Sequence, residues 1–146
     1  MLNIIPFTEK DVDKLYPIEL ACHQFPWSEK VFKSCIGGRY KTFMALEDDE
    51  PVAFYVVDLV ADESTLMDIC VAPTAQGKGY GKLLLEHCLN TAKEFNATTC
   101  WLEVRASNIS AQMLYINAGF IQTGRRTGYY PANAGYEDAI VMKLNL

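Results

Sequence analysis

The chain has 146 residues, half of them apolar and 21% charged, and a formal net charge of -5. A length of this order is most simply one domain, here residues 1–146, able to bury roughly 68% of the surface its unfolded form exposes without disulfide or metal staples. The acidic balance excludes broad, sequence-independent nucleic-acid binding, which needs clustered cations, and the longest apolar stretch, Ala53 to Ala61, is broken by Asp58, far short of the ~20 residues of a membrane span.

Met1 to Phe7 carries no basic lead, sustained apolar run or small-residue cleavage site, so a cytoplasmic location is the expectation. Leu2 to Ile5 reads as a first strand. Thr8 can cap a helix with Val12, Leu15 and Tyr16 on one face, which Pro17 should kink or split. After Phe25-Pro26-Trp27, Ser28 is a good N-cap for a short helix closed by Gly37 and Gly38. The period then changes: Tyr40 to Leu46, Val52 to Val60 and Thr65 to Ala72 read as an antiparallel meander that Pro73 stops.

A helix of about four turns starts at Gly79, with Leu84, Cys88, Ala92 and Phe95 on one side. Thr98 to Arg105 is a strand and Asn108 to Ala118 a helix ended by Gly119; Phe120 to Arg125 and Tyr136 to Leu144 are the last strands. The predicted class is α/β (α+β), a mixed, mostly antiparallel twisted sheet of about six to seven strands flanked by about four helices. The cysteines at 22, 35, 70, 88 and 100 are odd in number and form no C-x-x-C pair, so reduced, mostly buried thiols and no metal are expected.

The turn Gln76-Gly77-Lys78-Gly79-Tyr80-Gly81 lies between a strand and a helix, where free N–H groups and the helix dipole favour an anion. Gly81-Lys82 is followed by Leu83 rather than a hydroxyl residue, which argues against a magnesium-nucleotide loop. The dinucleotide pattern fails as well, because Lys82 or Leu84 stands where the last glycine belongs.

What does fit is Q-x-x-G-x-G, which resembles the coenzyme-A pyrophosphate loop of the GNAT acetyltransferase superfamily. In that resemblance the backbone from Gly77 to Lys82 cradles the pyrophosphate, with Gln76, Gly77, Lys78, Gly79, Tyr80, Gly81 and Lys82 as cofactor-binding residues. A tight, glycine-permissive turn is the structural alternative.

The stretch Trp101 to Asn108, with Ala111, Leu114-Tyr115 and Gly119-Phe120, is more specific. It resembles the RimI branch of GNAT, enzymes that acetylate the N-terminal alanine of small-subunit ribosomal protein eighteen, and the likeness extends to Phe25-Pro26-Trp27-Ser28, Tyr129-Tyr130-Pro131 and Glu137-Asp138-Ala139. The resemblance implies a GNAT fold, acetyl-CoA as cosubstrate, Glu103 as general base and Tyr115 as general acid. It further implies that Asn108 and the backbone of Ile69, Cys70 and Val71 contact the cofactor, and that Pro26, Trp27 and Tyr130 wall an acceptor groove.

From the residues alone, Glu103 alternates with Leu102 and Val104 and reads as an exposed strand carboxylate. Tyr115 reads as a core aromatic and Asn108 as an N-cap. His23 and His87 have no partner nearby in sequence, and Cys70 reads as a small apolar filler. The acceptor implied is a ribosomal-protein N-terminus, with no nucleic acid or membrane as partner. The alternatives are other protein N-termini, lysine, a small amine, or a silent acyl-CoA-binding module.

Overall fold

A computed structural model describes residues 2–146. In chain order the elements are β1 (Leu2–Pro6), α1 (Val12–Cys22), α2 (Glu29–Ser34), β2 (Tyr40–Glu47), β3 (Glu50–Val60), β4 (Glu63–Val71), α3 (Tyr80–Glu94), β5 (Thr99–Arg105), α4 (Ile109–Asn117), β6 (Ile121–Ala132) and β7 (Gly135–Asn145). The strands form one seven-stranded sheet in the order β1-β2-β3-β4-β5-β7-β6. Every neighbouring pair is antiparallel except β4 and β5, which are parallel and joined through α3. The expected mixed sheet and its helices are therefore present.

Local chemistry explains most boundaries. The β2–β3 hairpin turns on Asp48 and Asp49, both at positive φ (51° and 66°), which matches the twist of the flanking strands and suits short polar side chains. Ser28 accepts a hydrogen bond from the Val31 N–H and Asn108 one from the Ala111 N–H, each satisfying a free donor of the helix that follows.

Two boundaries differ from expectation. Pro17 does not split α1, which runs through it. The carbonyl it leaves without a partner is that of Asp13, an exposed first-turn residue that water can reach, while Leu15 and Ile18 are buried and anchor the helix. The strand expected to stop at Arg125 continues to Ala132, so Tyr129, Tyr130 and Pro131 lie in β6. Register shifts between Gln122 and Gly124 and between Arg126 and Tyr130 absorb the residues that look irregular in sequence.

The sheet packs on both faces. Leu84, Leu85 and Cys88 of α3 meet Tyr55, Val57, Leu102 and Tyr115 on one face; Leu15 and Ile18 of α1 and Phe32 of α2 meet Phe54, Val56 and Cys70 on the other. The Phe32 and Phe54 rings lie 5.2 Å apart.

One irregularity in this sheet makes the site. Val57 pairs with Leu66 and Val56 with Asp68, so Met67 is an extra residue in β4. Such a bulge bends its strand and reverses which face later side chains occupy. Beyond it, Ile69 and Val71 pack on the α3 side and Cys70 on the α1 side. The β4–β5 ladder ends at the same point: its pairs run from Glu63 with Thr99 to Leu66 with Leu102.

Candidate active site

Where β4 and β5 part, a cleft of about 840 Å³ opens, lined by the ends of both strands, the glycine-rich turn, α4 and the aromatic segments at Trp27 and Tyr130. The backbone of Ile69, Cys70 and Val71 keeps its pairing with β3 but has no strand partner on the β5 side.

Gly77 and Gly79 sit at φ +81° and +82°, and a Cβ on either would meet no atom within 4 Å. Backbone conformation therefore demands glycine here, and the space beside each is free for a ligand. Gly79 is the N-cap of α3, whose first turn has no acidic residue, so the amides of residues 80–82 face the cleft end unopposed.

The side chains around this turn do something else. Lys78 Nζ pairs with the Glu47 carboxylate at 3.2 Å, outside the cleft lining, and the Tyr80 hydroxyl donates to the same carboxylate. Those hydrogen bonds, from Tyr80 and then Lys78, hold the Glu47 carboxyl below its usual pKa. The Gln76 amide donates to the Val71 carbonyl at 3.0 Å and ties the turn to the end of β4.

Glu103 and Tyr115 both line the cleft, from different elements. Glu103 lies on the face of β5 opposite buried Leu102 and Val104, and its carboxylate forms an ion pair with Arg126 Nε of β6 at 2.9 Å. Tyr115 is 6% exposed and its ring lies 5.8 Å from that of Phe120. Burial pushes its phenol pKa well up, so the proton stays on the oxygen in the resting protein. Asn108 lines the cleft while capping α4.

Of the expected acceptor-groove residues, Trp27 and Tyr130 line the cleft and Pro26 does not. The organiser of this wall is Arg105, for which the sequence suggested no role. Its guanidinium lies between the Phe25 ring, at 5.0 Å, and the Tyr130 ring, at 4.6 Å. It also donates to the Pro131 carbonyl at 2.6 Å and to Glu137 at 2.9 Å. Its place opposite Leu102 and Val104 was legible, but its partners come from two distant segments. Burial, reinforced by the charge of Glu103, pushes the Tyr130 phenol up to about 12.

The opposite wall holds a polar cluster that sequence spacing concealed. His23, far from being partnerless, has Nε2 3.0 Å from Asp68 Oδ1 and 3.6 Å from Glu19 Oε1. Cys70 Sγ lies 3.2 Å from His23 Nε2 and 3.4 Å from Glu19 Oε1, so it is a member of this cluster as well as a filler. Burial raises the Glu19 pKa to about 8, helped by Asp68. Burial opposes the charge on His23, yet the hydrogen bond and charge of Asp68 carry its pKa up to about 9. Burial also opposes ionisation of Asp68, and hydrogen bonds from His23 and Glu19 overcome it, leaving that carboxyl below its usual value.

The parted parallel strands thus open a cleft that ends at a glycine-rich helix N-terminus. The chain matches the acetyltransferase (GNAT) family over residues 12–120, and it belongs to that family. It is 44% identical over 144 residues to the ribosomal protein bS18 alanine N-acetyltransferase of Escherichia coli (strain K12), covering 99% of this chain and 97% of that one. The corresponding protein of Haemophilus influenzae is 42% identical over 133 residues, 90% of each chain. The crystal structure of the Escherichia coli enzyme superposes with a TM-score of 0.95 over 99% of this chain and 94% of that one, at 42% identity. The resemblance read from sequence, to GNAT and to its RimI branch, is borne out, as is the fold.

Proposed function

We propose that this chain transfers the acetyl group of acetyl-CoA to the N-terminal α-amine of a protein, an alanine of small-subunit ribosomal protein eighteen, in the cytoplasm. The observation that carries the reading is the parting of β4 from β5, which sets Glu103 and Tyr115 on the walls of one cleft that ends at the glycine turn. The names of the relatives support the acceptor.

In this reading the pyrophosphate rests on the amides of residues 77–82, and pantetheine lies along Ile69, Cys70 and Val71 where β5 has left their backbone free. Glu103, directly or through a water, takes a proton from the acceptor ammonium. The amine attacks the thioester carbonyl, and the tetrahedral oxyanion forms against the β4 backbone. Collapse breaks the C–S bond, and Tyr115 gives its proton to the departing thiolate. Two protons leave the nitrogen in all: Glu103 passes the first to solvent, and the second, lost from the tetrahedral adduct as the amide forms, replaces the one Tyr115 gives the sulfur; attack by the amine itself needs no acyl-enzyme. Trp27 and Tyr130 hold the acceptor's first residues. Neither nucleic acid nor membrane takes part, and among the described residues no helix is long and apolar enough to cross a membrane.

The test is incubation with acetyl-CoA and a peptide beginning Ala-Arg, beside the same peptide N-blocked and free lysine. Thiol release and mass spectrometry should place the acetyl group on the α-amine of the open peptide alone. Acetylated lysine, or bound acetyl-CoA with no thiol released from any acceptor, contradicts the proposal.

A further inference from the structure

We propose that Glu19, His23, Asp68 and Cys70 form a four-ligand site for a zinc-type divalent ion in the cleft wall facing Glu103. Its donors are side chains in the wall of the same cleft, and their geometry supports it independently of the acetyl-transfer reading.

The backbone sets out the donors in a fixed pattern. Glu19 and His23 are one helical turn apart on α1, so their side chains lie on the same face. Asp68 and Cys70 are two apart on β4, beyond the Met67 bulge that turns both toward α1. Neither pair has a recognisable linear spacing for metal, which is why the sequence argued for none.

The four donor atoms converge, all lying within 4.8 Å of one another. Five of the six edges are 3.0 Å (His23 Nε2 to Asp68 Oδ1), 3.2 Å (His23 Nε2 to Cys70 Sγ), 3.2 Å (Cys70 Sγ to Asp68 Oδ1), 3.4 Å (Cys70 Sγ to Glu19 Oε1) and 3.6 Å (His23 Nε2 to Glu19 Oε1), and the sixth, between Glu19 and Asp68, is within 4.8 Å. A tetrahedral zinc site has edges of about 3.3 to 3.6 Å, given Zn–S near 2.3 Å and Zn–N or Zn–O near 2.0–2.1 Å. Along those five edges the donors need to move by only a few tenths of an ångström.

Two further observations distinguish this from a self-contained hydrogen-bond network. Asp68 is 8% exposed, and its Oδ2 is buried with no partner, an orphan acceptor that such a network would satisfy. Glu19 is 1% exposed, and its other oxygen, Oε2, accepts the Trp27 N–H at 2.9 Å, which orients Oε1 into the cluster as an outer-shell bond orients a ligand. One thiolate, one imidazole and two carboxylates suit zinc rather than magnesium or calcium, which prefer oxygen alone. The His23 side chain is 37% exposed and gives an ion a way in from the cleft.

The experiment is equilibrium dialysis of the reduced, chelator-treated full chain against zinc, and against cobalt(II) as a spectroscopic substitute. One ion per chain is expected, with the thiolate-to-cobalt charge-transfer band that reports a cysteine ligand. Cys70→Ala should abolish the band and weaken zinc at least about 100-fold, since loss of outer-shell partners alone is worth 10- to 100-fold. Asp68→Asn keeps the side-chain shape and should weaken zinc comparably in a chain whose near-ultraviolet circular dichroism matches the parent. Absence of stoichiometric zinc binding by the parent chain overturns the proposal. So does binding without the cobalt band, or binding that both substitutions leave unchanged.

Discussion

Leu66 pairs with Leu102, and this is the last rung between β4 and β5. A parallel pair buried on both faces would ordinarily continue to the strand ends, since unpaired backbone groups in a protein interior are costly. Here the next residue, Met67, is bulged, and the strand beyond it diverges from β5. The edge from Ile69 to Val71 is thereby left without a strand partner, with only the Val71 carbonyl taken up by the Gln76 amide and the Cys22 thiol, and Glu103 and Tyr115 line the space between. Four predictions follow from this geometry and its surroundings.

Gly79→Ala separates a cofactor cradle from a mere turn. A side chain at φ +82° strains the backbone by roughly 1–2 kcal/mol, although its Cβ meets no protein atom. The melting temperature should fall modestly. Acetyl-CoA affinity, measured by calorimetry on the folded variant, should fall by about tenfold or more, because the methyl enters the space assigned to the pyrophosphate. Unchanged affinity removes the turn from the cofactor site.

Arg105 is a positioning residue, holding Phe25 and Tyr130 together by its planar face. Lysine keeps the charge but neither the fork nor the stacking surface. Arg105→Lys is expected to raise KM for the acceptor peptide by about tenfold, the equivalent of ~1.4 kcal/mol, while leaving KM for acetyl-CoA and kcat near the parent values. If both KM values rise together, Arg105 supports the fold rather than the acceptor wall.

His87 introduces a pH dependence of stability. Its ring packs 4.7 Å from that of Phe43, and its Nδ1 lies 2.7 Å from the Tyr55 hydroxyl. Burial lowers its pKa, with Glu94 opposing. A folded-state pKa below the unfolded value of ~6.5 contributes stability that is complete above ~6.5 and lost as pH falls through the folded value. The parent should therefore lose more in melting temperature between about pH 7.5 and about pH 5 than His87→Gln does. Equal losses would show that His87 is not responsible.

Much of this was legible in local chemistry. The β2–β3 turn, the caps at Ser28 and Asn108, the glycines at 77 and 79 and the outward parity of Glu103 follow from residue type and period. What escaped depends on contacts remote in sequence. The strand parting rests on a bulge at Met67, where no glycine or proline marks it. Arg105 finds its partners at Phe25, Tyr130, Pro131 and Glu137, and the cluster at Asp68 needs α1 and β4 docked together. The resemblance placed Lys78 among the cofactor-binding residues, and in the fold its side chain pairs with Glu47. β6 looked short because Gly124, Gly128 and Pro131 interrupt its alternation, and two register shifts absorb them.

The central claim is that Glu103 and Tyr115 handle the protons of one acetyl transfer, and Glu103→Gln and Tyr115→Phe test it most directly. Both keep side-chain shape, and general acid or base catalysis is typically worth 10²- to 10⁴-fold. Thiol release at saturating acetyl-CoA and acceptor peptide should fall at least about 100-fold in each variant, with acetyl-CoA affinity and melting temperature close to the parent. Parent-like turnover in either variant would contradict the role assigned to that residue, and in both would place the chemistry elsewhere.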